Sequence, residues 1–365
     1  MLLITLAIVC APLMQSFAQA QSASYAHQTE NVVVVTLDGM RWQEIFQGLD
    51  LKIMKKKKFI QEPDSLLQAY SSDEHESSRE KLFPFLWNVV AKQGQLYGNR
   101  LKKSFSDVSN HQLFSYPGYN ELFTGYPDDT IIDNANQANP HVNVFDFIYH
   151  QPGYGQKSVA AFGTWETIAY ILNREHSGFE INVDKDPFEN KTSSDELLNF
   201  LNQHDRRWLG VRPDILTDVA AKEYLKKYTP KVLYISFGET DEAAHAGLYE
   251  HYIHSAHAED DLIADLWNTL QAIPQYHQKT TLIVTVDHGR GAKSKWTDHG
   301  EDIPESSQTW LAVIGPDTPA LGEMTDAPPI YQSQVATTIA KLLGLNFVPQ
   351  SSSAVTHPIE AILHP

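Results

Sequence analysis

The chain has 365 residues, 42% hydrophobic composition, a formal net charge of -17 at pH 7 and one cysteine. This length is enough to bury a full core, as one large domain or as one domain with an insertion. The acidic surface argues against general binding to nucleic acids or anionic membranes, but it leaves a phosphorylated substrate open because bound divalent cations reverse the local field.

The first twenty residues have the pattern of a secretory signal peptide. Residues 2–9 form an apolar core, and residues 18–20 read Ala-Gln-Ala, an A-x-A cleavage pattern. The apolar run is short for a membrane span, so we predict a cleaved signal at 1–20, a secreted or periplasmic protein and no span in the mature chain. Because Cys10 lies inside this segment, the metal ligands of the mature chain must be nitrogen and oxygen donors.

Short runs rich in β-branched residues predict buried strands. The clearest are residues 32–37, 232–237 and 282–286, and shorter ones are predicted at 95–100, 158–162 and 310–314. Helices with one apolar side are predicted between them, at residues 82–91, 144–149, 213–227, 249–270 and 334–343. This alternation predicts an α/β fold, a three-layer sandwich around a mostly parallel sheet, within one domain at residues 31–350.

Two polar segments are predicted to lie outside the layered core. Residues 51–78 are charged and rich in serine, which is typical of a solvated surface loop. Residues 178–212 are polar and irregular, so we predict a small insertion or lid within about 173–212.

Acidic and histidine side chains follow three of the predicted strands, and one more histidine comes shortly after the last. They are Asp38, Asp241, His245, Asp287, His288 and His299. In parallel sheets ligands bind beyond the carboxyl ends of the strands, so we expect these side chains to meet there. Carboxylates and imidazoles gathered in one place have the chemistry of a two-metal site.

Each of these residues taken alone has a simpler interpretation. A single Asp at a strand end often only forms a turn or caps a helix. Asp241 and His245 are four residues apart, which points both side chains the same way on one helical turn. Glu239 and Glu242 compete with Asp241 as the ligand, and Asp298 competes with the histidine that follows it. The complete set at strand ends is what favours a metal site.

Ser115 is the candidate nucleophile of such a site. The run Ser115-Tyr116-Pro117 looks like a helix start, with a hydroxyl at the cap and proline near the first helical positions. A helix N-terminus favours an anionic phosphoryl group, and a hydroxyl bound to a cation becomes more acidic. The alternative is that Ser115 only caps the helix.

With these residues identified, the chain resembles the alkaline phosphatase superfamily, and most of all its type I phosphodiesterase/nucleotide pyrophosphatase branch with bacterial secreted relatives. The resemblance is carried by VTLDG at 35–39, SYP at 115–117, LFTGYP at 122–127, DEAAHAG at 241–247, TVDHG at 285–289 and His299. These motifs occur in family order and span residues 31–345.

The resemblance implies an alkaline phosphatase-like catalytic domain with two zinc ions and a small phosphorylated substrate. The implied ligands are Asp38, Asp287 and His288 for one ion, with Ser115 as its reactive partner, and Asp241, His245 and His299 for the other. The implied route is attack by Ser115 on phosphorus to give a phosphoseryl enzyme, which water then hydrolyses.

Two departures from the family pattern bear on the substrate. Phosphodiesterase members carry Thr-Phe-Pro-Asn, whose Asn touches a phosphate oxygen; here Gly118 stands at that place, and Asn120 is predicted to take over the role. Monoester and diester substrates therefore both stay open. The SYPGY run also resembles the sulfatase modification motif, but Tyr119 replaces the arginine that motif needs.

Two other functions are alternatives to phosphate ester hydrolysis. One is a sulfatase-like or phosphonate hydrolase, although the histidines suit zinc better than the calcium of sulfatases. The other is a non-catalytic descendant that binds a ligand. The intact set of metal residues together with Ser115 argues against the second, because a degenerate site would be expected to lose some of them.

Overall fold

A computed structural model describes residues 27–71, 75–189, 192–350 and 355–363. The strands are β1 (Asn31–Leu37), β2 (Gln95–Tyr97), β3 (Ser106–Asp107), β4 (Val159–Gly163), β5 (Glu180–Val183), β6 (Val232–Phe237), β7 (Thr280–Thr285), β8 (Leu311–Ile314), β9 (Gly322–Glu323) and β10 (Ile330–Tyr331). Eight of them form one sheet in the order β5-β4-β6-β1-β7-β8-β2-β9, and β3 pairs with β10. The predicted signal peptide lies outside the described residues.

Helices surround this sheet, together with one π-helical turn, Leu86–Val90. They are α1 (Trp42–Gln47), α2 (Leu51–Met54), α3 (Pro63–Tyr70), α4 (His75–Leu82), α5 (Ala91–Gln93), α6 (Ser115–Thr124), α7 (Val144–Tyr149), α8 (Ile168–Ile171), α9 (Ser193–His204), α10 (Asp214–Tyr228), α11 (Glu239–His245), α12 (Tyr249–Ala272) and α13 (Val335–Leu342). Among the described helices, none is both long and apolar enough to cross a membrane.

Strand β1 shows why the sheet lies between two layers of helices. Val33 and Val35 belong to a core cluster that includes residues of α10 and α12. Val32 and Val34 belong to a second cluster with residues of α6, α7 and α13. A strand that packs against helices on both faces has no solvated side, so its sequence is a continuous apolar run. The three-layer α/β prediction is confirmed.

The functional end of the sheet is set by three adjacent parallel strands. β1 lies between β6 and β7, with Leu37 opposite Phe237 and Thr36 opposite Thr285. The three strands therefore end at nearly the same level. The residues that follow them emerge along one edge of the sheet, as the rule for parallel sheets predicts.

Residues 51–78 do not form the solvated loop that their composition predicts. They contain α2, α3 and the first part of α4. Ile53, Phe59 and Leu66 are buried in the same core cluster as α12. The exposed residues of the segment are mostly polar, so the few apolar side chains that anchor it carry little weight in the composition.

Residues 178–212 are also more regular than their sequence suggests. β5 extends the edge of the main sheet by pairing with β4, and α9 follows. Thr192 and Asp195 form a reciprocal capping box that begins α9. A role of this segment as a lid stays a prediction.

Truncation of Leu66 tests whether residues 51–78 belong to the core. Leu66 is completely buried, so Leu66→Ala is expected to lower the free energy of unfolding by about 2–5 kcal/mol. Lys57→Ala, at an exposed position in the same segment, should change it by less than about 0.5 kcal/mol. Urea unfolding measures both. Equal effects of the two substitutions would contradict the packing described.

Candidate active site

The first of two ligand clusters is built from the ends of β1 and β7. Asp38 follows β1, and Asp287 and His288 follow β7 after one intervening residue. His288 Nε2 lies 3.3 Å from Asp287 Oδ2 and 3.7 Å from Asp38 Oδ1. All three residues are buried, and these two carboxylate oxygens have no hydrogen-bond partner among the described residues. Buried unpaired carboxylate oxygens that face an imidazole nitrogen are a suitable donor set for a cation.

The remaining polar atoms of this cluster are held by neighbouring groups. The Tyr119 hydroxyl donates to Asp38 Oδ2 at 3.0 Å, and the Gly39 N–H donates to Asp287 Oδ1 at 3.1 Å. His288 Nδ1 lies 2.9 Å from the carbonyl oxygen of the next residue. That contact places the ring proton on Nδ1 and leaves the Nε2 lone pair for a ligand.

The second cluster combines α11 with the loop after β7. His245 Nε2 lies 3.1 Å from Asp241 Oδ2 and 3.0 Å from His299 Nε2. His299 Nδ1 faces the carbonyl oxygen of Leu113 at 3.2 Å, which leaves its Nε2 lone pair directed at the other two donors. Two nitrogens and one carboxylate oxygen therefore converge on one point, a donor set that suits zinc.

The two clusters lie side by side. The rings of His288 and His299 stack with centroids 3.9 Å apart, so His288 also lies within ligand distance of Asp241 and His299. We assign His288 to the first cluster because its Nε2 points at Asp38 and Asp287. All the predicted metal ligands therefore lie in one region of the molecule.

Helix α11 distinguishes the candidate acids that sequence alone left open. Asp241 and His245 lie one helical turn apart and make contact. The Glu239 carboxylate turns away and accepts a hydrogen bond from Ser255 at 3.4 Å. Glu242 lines the cavity described below without joining the cluster, and Asp298 is exposed.

Burial governs the protonation of both clusters. Burial, together with the charges of Asp287 and Asp241, raises the pKa of Asp38 well above its usual range. Burial also raises the pKa of Asp287 to about 7. For the imidazoles burial acts in the opposite direction: it lowers the pKa of His288 well below its usual range and that of His299 to about 4. The imidazoles of His288 and His299 are therefore neutral at physiological pH, as metal ligands must be.

Arg290 is a site residue that the sequence analysis missed. It is buried, forms an ion pair with Asp241 Oδ1 and donates to the backbone carbonyls of Trp296 and Thr297. Its Nη2 also lies 3.3 Å from His245 Nδ1. Burial alone would raise the pKa of Asp241, but the charge of Arg290 together with the contacts of His245 and His299 outweighs burial and holds that pKa well below its usual range. An arginine in a loop after DHG gives no sequence signal that separates it from a solvated charge.

Ser115 lies at the start of α6, but it is not the helix cap. Phe114 occupies the N-cap position, and the Ser115 hydroxyl contacts His288 Nε2 at 3.2 Å. The alternative that Ser115 only caps the helix is therefore wrong. Close packing of α6 on the end of β7 makes this contact possible, because a Cβ at Gly118 would lie only 2.5 Å from the carbonyl oxygen of Asp287.

The structure does not bring Asn120 to the site. Its side chain is completely buried, donates to the carbonyl of Tyr126 at 2.7 Å and accepts from Asn139 at 3.0 Å. Asn120 lies in the buried middle of α6, which directs its amide into these packing contacts. Asn134 lines the cavity instead, from an Asn-rich loop whose individual residues the sequence did not distinguish.

A cavity of about 140 Å³ opens onto both clusters. Its lining residues are Asp38, Ser115, Asn134, Trp165, Val211, Gly238, Asp241, Glu242, His245 and His299. Asp287 and His288 lie behind this surface, fully buried. A larger groove of about 490 Å³ between β5, α9 and α10 contains none of the predicted site residues, so we assign the chemistry to the smaller cavity.

Comparison with known proteins identifies the family of the chain. A model of the type I phosphodiesterase / nucleotide pyrophosphatase family matches residues 86–338, more than half of the chain. The chain belongs to this family. Its membership places the protein in the alkaline phosphatase superfamily and makes it a hydrolase of phosphoric ester bonds. No curated protein sequence matches the chain significantly.

Solved structures share the fold at low sequence identity. The alkaline phosphatase PafA superposes with a TM-score of 0.60 at 10% identity, over 92% of this chain and 99% of PafA. The phosphonate monoester hydrolase of Agrobacterium radiobacter gives 0.57 at 13% identity, over 92% and 77% of the two chains. A 2-O GAG sulfatase gives 0.55 at 12% identity, over 90% and 73%. Identities this low show the common fold alone.

The raised pKa of Asp287 predicts how metal binding depends on pH. Below about pH 7 this carboxyl holds a proton that a metal must displace, whereas the neutral imidazoles of His288 and His299 offer no such competition. The apparent zinc affinity of metal-free protein should therefore fall between about pH 8 and pH 6, with proton release increasing over the same interval. Calorimetry in buffers of different ionisation enthalpy measures both quantities. A constant affinity across this interval would contradict the assignment.

Substitution of Arg290 tests its role in positioning Asp241. Arg290→Met should weaken zinc binding by about 10–100-fold, because Asp241 loses its anchor and the loop that carries His299 loses two hydrogen bonds. Arg174→Met removes an exposed arginine and serves as the control. The readout is the rate at which a chelator removes zinc. Tighter binding in Arg290→Met would mean that repulsion between the guanidinium and the metal outweighs positioning.

Proposed function

We propose that the protein hydrolyses small phosphate esters, with Ser115 as the nucleophile, at a site for two zinc ions. The proposed ligands are Asp38, Asp287 and His288 for one ion and Asp241, His245 and His299 for the other. The observation that carries the proposal is the 3.2 Å contact between Ser115 Oγ and His288 Nε2, within a cluster whose facing carboxylate oxygens are unpaired. When bound, the cations would lower the pKa of the serine hydroxyl and stabilise negative charge on the phosphoryl oxygens.

The proposed reaction has two balanced steps. Ser115 Oγ loses its proton and forms a bond to phosphorus while the ester P–O bond breaks, and the alcohol leaves with a proton. Water then attacks the phosphoserine, releasing phosphate or a phosphate monoester and restoring the Ser115 hydroxyl. The position of Ser115 on the first turn of the ten-residue α6 supports this role, because the positive end of the helix dipole favours a phosphoryl anion there.

Asn134 is the proposed donor to a phosphate oxygen, in place of Asn120. Asn134 Oδ1 accepts from the Tyr116 N–H at 2.9 Å, which orients the amide on the cavity wall next to the nucleophile. Its Nδ2 group is then available to donate to a non-bridging oxygen of the substrate. In this proposal Asn134 has the role that the family's Asn has at the position where this chain carries Gly118.

The direct experiment is an assay of the zinc-loaded protein on an aryl phosphate, an aryl phosphodiester and an aryl sulfate, with and without a chelator. We expect turnover of phosphate esters that the chelator abolishes and added zinc restores. Preferential turnover of the sulfate would favour the sulfatase-like alternative. Binding of zinc with no turnover of any ester would favour the non-catalytic alternative.

Substitution of the nucleophile tests the mechanism separately. Ser115→Ala should lower kcat by at least about a thousandfold with zinc content unchanged, because the metal ligands remain. Ser194→Ala, at an exposed serine on α9, should retain wild-type turnover. Acid quenching during turnover followed by mass spectrometry should find phosphate on Ser115. Wild-type turnover by Ser115→Ala would exclude the serine mechanism.

A further inference from the structure

We infer that Asp214 is a positioning residue of the two-metal site, because its carboxylate fixes the start of α11, the helix that carries Asp241 and His245. This inference rests on the proposed function, since it concerns the ligand set proposed there. Asp214 lies on the first turn of α10 and does not line the cavity. Its effect on the site therefore acts through the backbone of α11.

Helix α11 begins without a side-chain cap of its own. Gly238 occupies the N-cap position and has no side chain that could accept from the first N–H groups. These groups have no partner within the helix, so a buried helix start needs acceptors from elsewhere. A Cβ at Gly238 would lie only 3.3 Å from the methyl group of Thr164, so a larger N-cap residue would press on that side chain.

Asp214 supplies the missing acceptors. Its Oδ1 accepts from the Gly238 N–H at 2.9 Å, and its Oδ2 accepts from the Glu239 N–H at 3.2 Å. The Asp214 N–H donates in return to Glu239 Oε1 at 3.3 Å. The starts of α10 and α11 thus cap each other, as two side chains do within one helix in a capping box.

The other neighbours of Asp214 keep its carboxylate in this position. Asp214 is buried, and the Thr164 hydroxyl donates to Oδ1 at 2.7 Å. Within the described part of the chain, no lysine or arginine forms an ion pair with it. Burial and the charge of Glu239 raise the pKa of Asp214 to about 7, so it is mainly ionised at pH 8. Burial and the charge of Asp214 raise the pKa of Glu259 well above its usual range, so that neighbour is neutral.

The start of α11 sets the position of two candidate ligands. Asp241 lies on the first turn of the helix, and His245 is its last residue. The Thr240 hydroxyl donates to the carbonyl oxygen of Asp38 at 2.8 Å, which holds the same turn against the end of β1. The ligands of the first cluster come from strand ends instead, and their register does not involve α10. Loss of the cap should therefore weaken the second cluster selectively.

Hydrogen exchange of the metal-free protein tests the cap itself. Asp214→Asn replaces one acceptor oxygen by an amide group that cannot accept, so the amide hydrogens of Gly238 and Glu239 should exchange at least about tenfold faster at pH 8. Asp218→Asn is the matched control, because Asp218 is also buried on α10 but pairs with Lys222. Both hydrogens should exchange at the wild-type rate in the control. Unchanged exchange in Asp214→Asn, measured by NMR, would overturn the inference.

Zinc affinity tests the consequence for the site. In competition with a chelator, Asp214→Asn should weaken one of the two zinc-binding steps by about 10–100-fold and change the other by less than about threefold. Loss of the same step in His245→Ala, but not in Asp38→Ala, identifies it as binding to the second cluster. Equal weakening of both steps, or the same selective loss in Asp218→Asn, would overturn the inference.

Turnover separates positioning from general damage to the fold. Excess zinc should restore the kcat of Asp214→Asn on an aryl phosphate to within about threefold of wild type, because the ligands themselves are unchanged. A kcat that stays low when both sites hold zinc would mean that Asp214 does not act by positioning the ligands. Selective zinc loss in Asp214→Asn, with no turnover of any ester by the wild type, would support the inference and contradict the proposed function.

Discussion

The parallel register of β1 between β6 and β7 is the constraint on which the site depends. Leu37 lies opposite Phe237, and Thr36 lies opposite Thr285, so the three strands end at nearly the same level. A shift of register by one residue would turn Asp38 away from the cavity, because side chains alternate between the two faces of a strand. Residues that are up to about 260 positions apart in sequence meet there because the sheet is buried on both faces and its register cannot slip.

The same burial raises the free-energy cost of forming the site without a bound cation, because the carboxylates lose their hydration. Asp38 and Asp287 lie within a few ångströms of each other, and burial raises the pKa of each carboxyl. Arg290 pairs with Asp241 of the second cluster, and among the described residues no lysine or arginine forms an ion pair with Asp38 or Asp287. Folding alone gains nothing from unpaired buried carboxylates, so their presence in this position is typical of a functional site. Divalent cations supply the missing charge in the function proposed.

The errors of the sequence interpretation have a common physical origin. Residues 51–78 were predicted from average polarity, but burial depends on where a few apolar side chains point. The prediction for Asn120 rests on its place two residues after Gly118, which occupies the position of the family's Asn, whereas helix α6 turns Asn120 into the core and Asn134 lines the cavity. Arg290 has no local signal, because a buried arginine differs from a solvated one only in its tertiary partners. In each case the deciding contact is with residues remote in sequence.

The sequence by itself determined the class of fold and the family. It also located the three strand ends that carry the acids and histidines, and the serine at a helix start. These features could be predicted because strand and helix periodicity and local motifs are encoded in neighbouring residues. Only the tertiary structure decided which acid of α11 faces the histidines and that Ser115 contacts His288. It also decided that Arg290 pairs with Asp241 and that Asn134 and Glu242 line the cavity. These outcomes depend on side-chain directions at the end of a twisted sheet and on long-range packing. No local pattern of residues specifies those directions.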